Sequence, residues 1–214
     1  SVYFYRISFT NRYMKKGINV HNLGTSQSWT YQYLTKMTYL KQYIDEINPD
    51  QVHIYFGTND LSAGYTTAQI KTHLHQFIDT LKTVCKSSCE YILYTDWDYG
   101  TTGHLDQEDE ERAVYFDDLR TKRFEIAHED TVSVFDVRKV FPSRKVGNDM
   151  GLWLDVVHLS NPEGREFFAQ KIMDILQPEY MINADITNRK VYRTHPMYFL
   201  QDSSGIRFFK YDGT

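Results

Sequence analysis

The sequence lacks long apolar segments and an excess of basic residues. No run approaches the roughly 18 apolar residues that a membrane-spanning helix needs, so we expect no membrane span. The 214 residues carry a formal net charge of −4, which disfavours a nucleic-acid-binding protein, since such proteins usually present a basic face. The length fits one α/β domain with a small appendage, and it allows a sizeable buried core.

Cysteine is scarce, and no pattern typical of a metal or phosphate site is present. The two cysteines, Cys85 and Cys89, either form a small surface disulfide in an oxidising compartment or remain free thiols. There is no second cysteine pair, and His73 and His75 lie two apart on a predicted helix, where they point to different faces. A glycine-rich phosphate loop is also missing. We therefore expect neither a metal nor a cofactor.

Apolar spacing predicts strands that alternate with helices. Strands are predicted over 2–5, 18–22, 52–56, 91–94 and 132–137, and helices over 29–48, 66–81, 108–128 and from 160 onward. A polar loop is predicted over 96–110. This alternation is typical of a parallel sheet covered by helices on both faces. Residues 1–178 are thus predicted as an α/β domain, and 179–214 as a β-rich extension with a hairpin around Asp202–Gly205.

The stretch QVHIYFGTND, residues 51–60, ends a predicted strand in a glycine, an amide and a carboxylate. Taken alone, Asn59 and Asp60 are typical caps of the helix or turn that follows. However, ligands of parallel α/β sheets bind at the carboxyl ends of the strands, which is where Gly57–Asp60 lies. Asn59 is therefore a candidate site residue, and Asp60 is interpreted as local support for the turn.

A second polar pair lies in GLWLDVVHLSNPEG, residues 151–164. Asp155 and His158 are three apart, just before a helix start with Ser160 as the cap. At this spacing the carboxylate can reach the imidazole, fix its tautomer and stabilise its protonated form. The alternative is that the pair only anchors a loop.

Together these segments resemble the SGNH (GDSL-type) serine hydrolase family over residues 18–177. GTND at 57–60 is similar to the family's Gly-x-Asn-Asp block, and LDVVHLSNPEG at 154–164 to its Asp-x-x-His block. NLGTSQS at 22–28 resembles its second block, at a fitting distance before the third. The resemblance implies a flavodoxin-like three-layer α/β/α fold with a parallel sheet, and an ester-cleaving activity.

The resemblance implies a role for each matched residue. A serine attacks the acyl carbon, His158 passes the serine proton to the leaving alcohol, and Asp155 orients His158. Asn59 supplies a side-chain N–H to the developing oxyanion, helped by backbone N–H groups. Gln27 stands where the family usually has an oxyanion glycine, and its backbone N–H is available for the same purpose.

The nucleophile is the residue on which the sequence departs from the family. The Gly-Asp-Ser block expected after the first strand is missing, and Arg6 and Ile7 precede Ser8 where glycine and aspartate would stand. Ser8 follows the first predicted strand and is the predicted nucleophile. Ser1, Ser26 or a serine outside this chain are the alternatives.

The expected substrate is a small acyl ester or an acylated sugar. The segment 96–110, with Trp97, Tyr99 and His104, is expected to form one wall of the cleft, which suits a small acyl group better than a long lipid chain. The alternative is an inactive carbohydrate-binding or structural module of a larger assembly, suggested by the β-rich extension and the 17 tyrosines. A start at Ser1 is compatible with a trimmed form, and an extracellular or cell-surface location is favoured.

Overall fold

The computed structural model describes residues 21, 23–24, 27–176, 197–202 and 205–210. These residues divide into two compact units. The first contains the described residues up to Trp97 together with Glu110–Arg138, and the second contains Asp98–Asp109 and the described residues from Lys139 onward. The domain boundary predicted at residue 178 stays a prediction.

The elements of the described ranges alternate between strands and helices along most of the chain. The strands are β1 (Gln51–Ile54), β2 (Glu90–Tyr94), β3 (Gly100–Thr101), β4 (His104–Glu108), β5 (Ser133–Phe135), β6 (Met197–Asp202) and β7 (Gly205–Lys210). The helices are α1 (Thr30–Thr35), α2 (Met37–Ile47), α3 (Thr58–Ser62), α4 (Thr67–Val84), α5 (Glu110–Asp130), α6 (Val137–Val140), α7 (Arg144–Asp149) and α8 (Glu163–Leu176).

The first unit contains a parallel sheet with the strand order β1-β2-β5. In its register Val52 lies opposite Tyr91, and Leu93 lies opposite Val134. Helix α4 packs against α1, α2 and α5, and it buries one apolar face: Ile70, Leu74, Phe77, Ile78 and Leu81. Because both the strands and this helix face are apolar, the core of the unit lies between the sheet and its helices.

Helix α4 begins at the capping box that the sequence predicts. The Gln69 backbone N–H donates to Thr66 Oγ1 at 3.3 Å, and the Thr66 N–H donates to Gln69 Oε1 at 2.9 Å. Two N–H groups that have no partner within the helix are therefore satisfied, which fixes the first turn.

In its described residues, the second unit contains two antiparallel hairpins and the helices α7 and α8. The first hairpin pairs β3 with β4, and the second pairs β6 with β7. Asp202 pairs with Gly205, so the hairpin predicted in the C-terminal extension is confirmed. Elsewhere in this unit Phe141 packs edge-on against Phe167, with ring centroids 5.1 Å apart, and it contacts Trp153.

Two predictions of local structure are wrong. The segment 96–110 is not only a loop, because β3 and β4 form within it. The HLDQE sequence of β4 is polar and mostly exposed, so it carries no apolar alternation that would reveal a strand. The helix predicted over 29–48 is interrupted at Lys36, where ψ is 2°, and the apolar spacing continues across that interruption.

Three further expectations concern other parts of the chain. Cys85 and Cys89 are free, buried thiols. The strand predicted over 2–5 and most of the one predicted over 18–22 lie outside the described residues. Among the helices that the structure describes, none combines the length and the apolar character required to cross a membrane.

A buried arginine ties α5 to the ends of two strands in the first unit. Arg123 is 1% exposed, and its Nη1 donates to Asp96 Oδ2 at 2.5 Å. Its Nη2 donates to the backbone carbonyl of Phe56. Phe56 lies just after β1 and Asp96 just after β2, so one guanidinium holds the chain where both strands end.

We expect Asp96→Ala to lower the free energy of unfolding by about 3–5 kcal/mol, because it leaves the Arg123 charge buried without its carboxylate. Urea denaturation measures this loss. The control is Asp50→Ala, which removes an exposed ion pair with Lys86 and should cost little. The paired change Asp96→Leu with Arg123→Met should cost less than Asp96→Ala alone, and an equal or larger cost would contradict this account.

Candidate active site

The turn after β1 depends on Gly57. Its φ is +146°, which side-chain-bearing residues rarely adopt, and a Cβ there would lie 2.7 Å from Arg123 Nη2. The same Cβ would lie 2.9 Å from the Leu119 side chain. Both the backbone conformation and the lack of space therefore require glycine. The turn leads directly into α3, which carries Asn59 and Asp60.

The Asn59 amide has a defined orientation. Its Nδ2 donates to the Ser28 carbonyl at 2.9 Å, and since a carbonyl only accepts, the NH₂ end of the amide must face Ser28. The same NH₂ group carries a second N–H. Asn59 also lines a cavity of about 130 Å³, whose other lining residues are Ser28, Tyr55, Phe56, Gly57, Thr58 and Asp96.

Asp60 supports a neighbouring helix. Its side chain is fully buried, and its Oδ1 accepts the backbone N–H of Thr30 at 3.0 Å, at the start of α1. Burial raises the pKa of Asp60, and the hydrogen bonds from Thr30 and the charges of His73 and Arg123 oppose that rise. Asp60 therefore holds the start of α1 in place beside the turn that presents Asn59.

Gln27 adopts a backbone conformation that favours glycine. Its φ is +59°, in the left-handed region, where other residues pay about 1 kcal/mol or more. The side chain is exposed. Gln27 therefore has a backbone conformation typical of glycine, at the position where the family usually has a glycine.

Asp155 and His158 form a hydrogen-bonded pair in the second unit. His158 Nδ1 lies 2.8 Å from Asp155 Oδ2, and Asp155 Oδ1 accepts the backbone N–H groups of Val157 and His158, each at 2.7 Å. The carboxylate is acceptor-only when ionised, so the proton of this bond belongs to His158 Nδ1. The other ring nitrogen, Nε2, is then free to accept a proton.

The surrounding hydrogen bonds keep Asp155 ionised. Partial burial acts to raise its pKa, but the backbone N–H groups of His158 and Val157 and the His158 ring together lower the pKa below the ordinary value of 3.8. The side chains of Asp155 and His158 are 48% and 71% exposed, so the pair is accessible. This arrangement can orient an imidazole and stabilise its protonated form.

The loop that carries the pair is closed at its base by backbone contacts. Trp153 and Leu159 form an antiparallel bridge, and the Leu154 N–H donates to the His158 carbonyl at 2.9 Å. Ser160 Oγ accepts the Gly164 N–H at 2.9 Å, and α8 begins at Glu163. The helix therefore begins later than predicted, with Pro162 before its first residue, although Ser160 still supplies an acceptor to the first turn.

The structure brings some of the predicted site residues together and leaves others undescribed. Asp155 and His158 are in contact, and Asn59 and Gln27 lie in the first unit. Ser8, Ser1 and Ser26 lie outside the described residues. The catalytic role of each of these residues therefore stays a prediction.

The aromatic side chains expected in the cleft wall are mostly buried. Trp97 and Tyr99 are 9% and 2% exposed, whereas His104 is exposed. The two rings thus offer little surface to a ligand, and the segment 96–110 as a cleft wall stays a prediction.

Two buried residues that the sequence does not reveal are Arg123 and Arg144. Each lies in a charged stretch that reads as an exposed helix face.

Comparisons with known structures identify the fold. A protein from Parabacteroides merdae assigned as a GDSL-like lipase is 20% identical, with a TM-score of 0.56, covering 70% of this chain and 68% of that one. A mutant acetyl-xylooligosaccharide esterase from Geobacillus stearothermophilus is 19% identical, with a TM-score of 0.53, covering 69% and 67%. A carbohydrate esterase family 3 protein from Talaromyces cellulolyticus is 19% identical, with a TM-score of 0.52, covering 72% and 69%.

These similarities confirm the expected three-layer α/β fold with a parallel sheet. No curated protein matches the sequence. The sequence model of the GDSL-like Lipase/Acylhydrolase family, however, matches residues 8–164, which is most of the chain. The match includes the Asn59 turn and the Asp155–His158 loop. The chain therefore belongs to the GDSL-like lipase/acylhydrolase family of ester hydrolases.

Proposed function

We propose that the chain is a serine esterase that removes a small acyl group, such as acetyl, from a polar or carbohydrate alcohol. The observation that carries this proposal is the hydrogen-bonded pair of Asp155 and His158 in a chain of an ester hydrolase family. The substrate class is supported by two structurally similar proteins, one named an acetyl-xylooligosaccharide esterase and the other a carbohydrate esterase.

In the proposed first step, Ser8 Oγ attacks the acyl carbon while His158 Nε2 removes the serine proton. The hydrogen bond from His158 Nδ1 to Asp155 supports this role, because it leaves Nε2 as the base and stabilises the imidazolium that forms. The choice of Ser8 is supported by the family match, which begins at that residue.

The attack turns the acyl oxygen into an oxyanion that needs N–H donors. We assign this role to the second Nδ2 hydrogen of Asn59 and to the backbone N–H of Gln27. Support comes from the bond to the Ser28 carbonyl, which fixes the Asn59 amide before substrate arrives, so little reorganisation is needed. The positive φ of Gln27 supports the assignment of its backbone to the turn of the family's second block.

The intermediate then collapses, and the bond between the acyl carbon and the alcohol oxygen breaks. His158 gives its proton to that oxygen, and the alcohol leaves. A water molecule attacks the acyl-serine in the second half, with His158 again as the base, and the carboxylic acid is released. Ser8 regains its proton, so the enzyme returns to its starting state.

We expect Ser8→Ala and His158→Ala each to lower kcat for ester hydrolysis by roughly 10³- to 10⁶-fold, and the double variant to be little worse, because the two residues act as one unit. Hydrolysis of p-nitrophenyl acetate measures this effect. The control is His128→Ala, which removes an exposed histidine on α5. If His158→Ala is inactive and Ser8→Ala is not, the nucleophile is Ser1, Ser26 or a serine outside this chain. If the intact chain shows no hydrolysis that depends on His158, it is a binding module.

Asp155→Asn should lower kcat roughly 10³- to 10⁴-fold across the pH range, because the amide favours the wrong histidine tautomer. The pKa of Asp155 lies below 3.8, so the stabilisation by its ionised form is present above that value and lost only as the pH falls through the lowered pKa. The wild-type carboxylate is therefore ionised throughout the range from about pH 5 to pH 9, and the variant should show the loss of kcat at every pH in that range. A plateau kcat equal to that of the wild type would contradict the assignment.

The substrate proposal is tested with esters that differ only in the acyl chain. The kcat/KM should be higher for p-nitrophenyl acetate than for the butyrate, octanoate and palmitate esters. Release of acetate from an acetylated xylo-oligosaccharide should also occur and should disappear in His158→Ala. Faster turnover of the long-chain esters would overturn the substrate class while leaving the esterase proposal intact.

A further inference from the structure

A buried arginine lies behind the Asp155–His158 loop within the second unit. Arg144, at the start of α7, is 2% exposed, and its guanidinium contacts three backbone carbonyls. Nη2 donates to the Asp155 carbonyl at 2.5 Å, Nε donates to the Leu105 carbonyl at 2.7 Å, and Nη1 lies 3.4 Å from the Asp98 carbonyl. One side chain therefore joins the β3–β4 hairpin to the residue that holds His158.

The position of this guanidinium is fixed on several sides. Its central carbon lies 4.0 Å from the centre of the Trp153 ring, and Trp153 Nε1 donates to the Arg144 carbonyl at 3.1 Å. A Cβ on Gly100 would lie 2.8 Å from both Nε and Nη2, so glycine makes room for the group. The backbone N–H of Gly100 also donates to the Val156 carbonyl at 2.9 Å, in the same loop.

The buried charge of Arg144 is compensated by the hydrogen bonds to these carbonyls and by nearby charged groups. Burial lowers the pKa of Arg144, and the charges of Asp155, Asp98 and Tyr99 oppose that change. The carbonyls take up the N–H groups, so the cost of burying the cation is offset only while the loop and the hairpin keep their places. A displacement of the Asp155 backbone would remove an acceptor from a buried cation.

We propose that Arg144 is a positioning residue for the esterase reaction: it holds the Asp155 backbone so that the Asp155 carboxylate keeps His158 oriented. This inference rests on the proposed function. Asp155 is then held at two points, by Arg144 through its carbonyl and by the Val157 and His158 N–H groups through its carboxylate. Asp155 lies only three residues from His158, so a small shift of its backbone moves the imidazole relative to the ester.

The test compares kcat and KM of Arg144→Met, Arg144→Lys and Gly100→Ala with those of the wild-type chain, using p-nitrophenyl acetate. Arg144→Met should lower kcat about 100-fold, as expected for a misplacement of about 1 Å, with KM nearly unchanged. Arg144→Lys should retain more activity than Arg144→Met but less than the wild type, because one ammonium cannot reach carbonyls of three segments. The control is Arg165→Met, an exposed arginine on α8, which should retain the wild-type kcat.

Gly100→Ala perturbs the same contact without removing the arginine. The added methyl group should push the guanidinium away from the Asp155 carbonyl and lower kcat, and the Gly100→Ala, Arg144→Met double variant should be no worse than Arg144→Met alone. Amide hydrogen exchange gives a readout that does not depend on activity. The Val157 and His158 N–H groups should exchange faster in Arg144→Met and in Gly100→Ala than in the wild type.

The outcomes separate this inference from the proposed function. All rates are expressed per folded molecule, with the folded fraction measured by near-UV circular dichroism. Wild-type kcat and exchange rates in folded Arg144→Met, while His158→Ala is inactive, would overturn the role of Arg144 alone. Full activity of His158→Ala would instead overturn the proposed function. If Arg144→Met does not fold, Gly100→Ala decides, and a wild-type kcat in that variant overturns the inference.

Discussion

The ion pair between Arg123 and Asp96 is the interaction on which the first unit depends. A guanidinium that is 1% exposed must have all of its charge compensated inside the protein, and here a carboxylate after β2 and a carbonyl after β1 do so. Three residues earlier on α5, and so on a neighbouring part of its surface, Arg120 Nε donates to Asp136 after β5 at 3.0 Å. The carboxyl ends of three parallel strands are therefore held by one helix.

This constraint explains the shape of the Asn59 turn. The Arg123 guanidinium lies so close to residue 57 that only glycine fits, and the glycine in turn allows the sharp entry into α3. Asn59 follows two residues later, and its amide is fixed by the Ser28 carbonyl. The Asn59 side chain thus has a defined direction, because the buried Arg123 leaves room only for glycine at residue 57 and so restricts the path of the backbone.

In the second unit, the side chains of Asp155 and His158 are exposed, and they are also held in a defined orientation. The Asp155 and His158 side chains are 48% and 71% exposed, so burial cannot hold them in place. Instead, N–H donors surround Asp155, with two backbone amides on its carboxylate and Arg144 on its carbonyl. The two backbone amides and the His158 ring favour the ionised carboxylate, which is the form that orients an imidazole and stabilises its charge. A rigid backbone behind an accessible side chain is a favourable arrangement for a catalytic group.

The sequence by itself determined the α/β class, the apolar strands, the capped helix α4 and the short-range pair of Asp155 and His158, because each depends on neighbouring residues along the chain. The sequence did not predict β4, whose polar residues carry no apolar alternation. It also did not predict the interruption of the helix at Lys36, where the apolar spacing continues. Only the tertiary structure decided what Arg123 and Arg144 do. Their partners lie 27 and 67 residues away for Arg123, and 11 and 39 residues away for Arg144. No local pattern distinguishes a buried arginine that binds distant carbonyls from an exposed one, since the difference arises only when the chain folds around it.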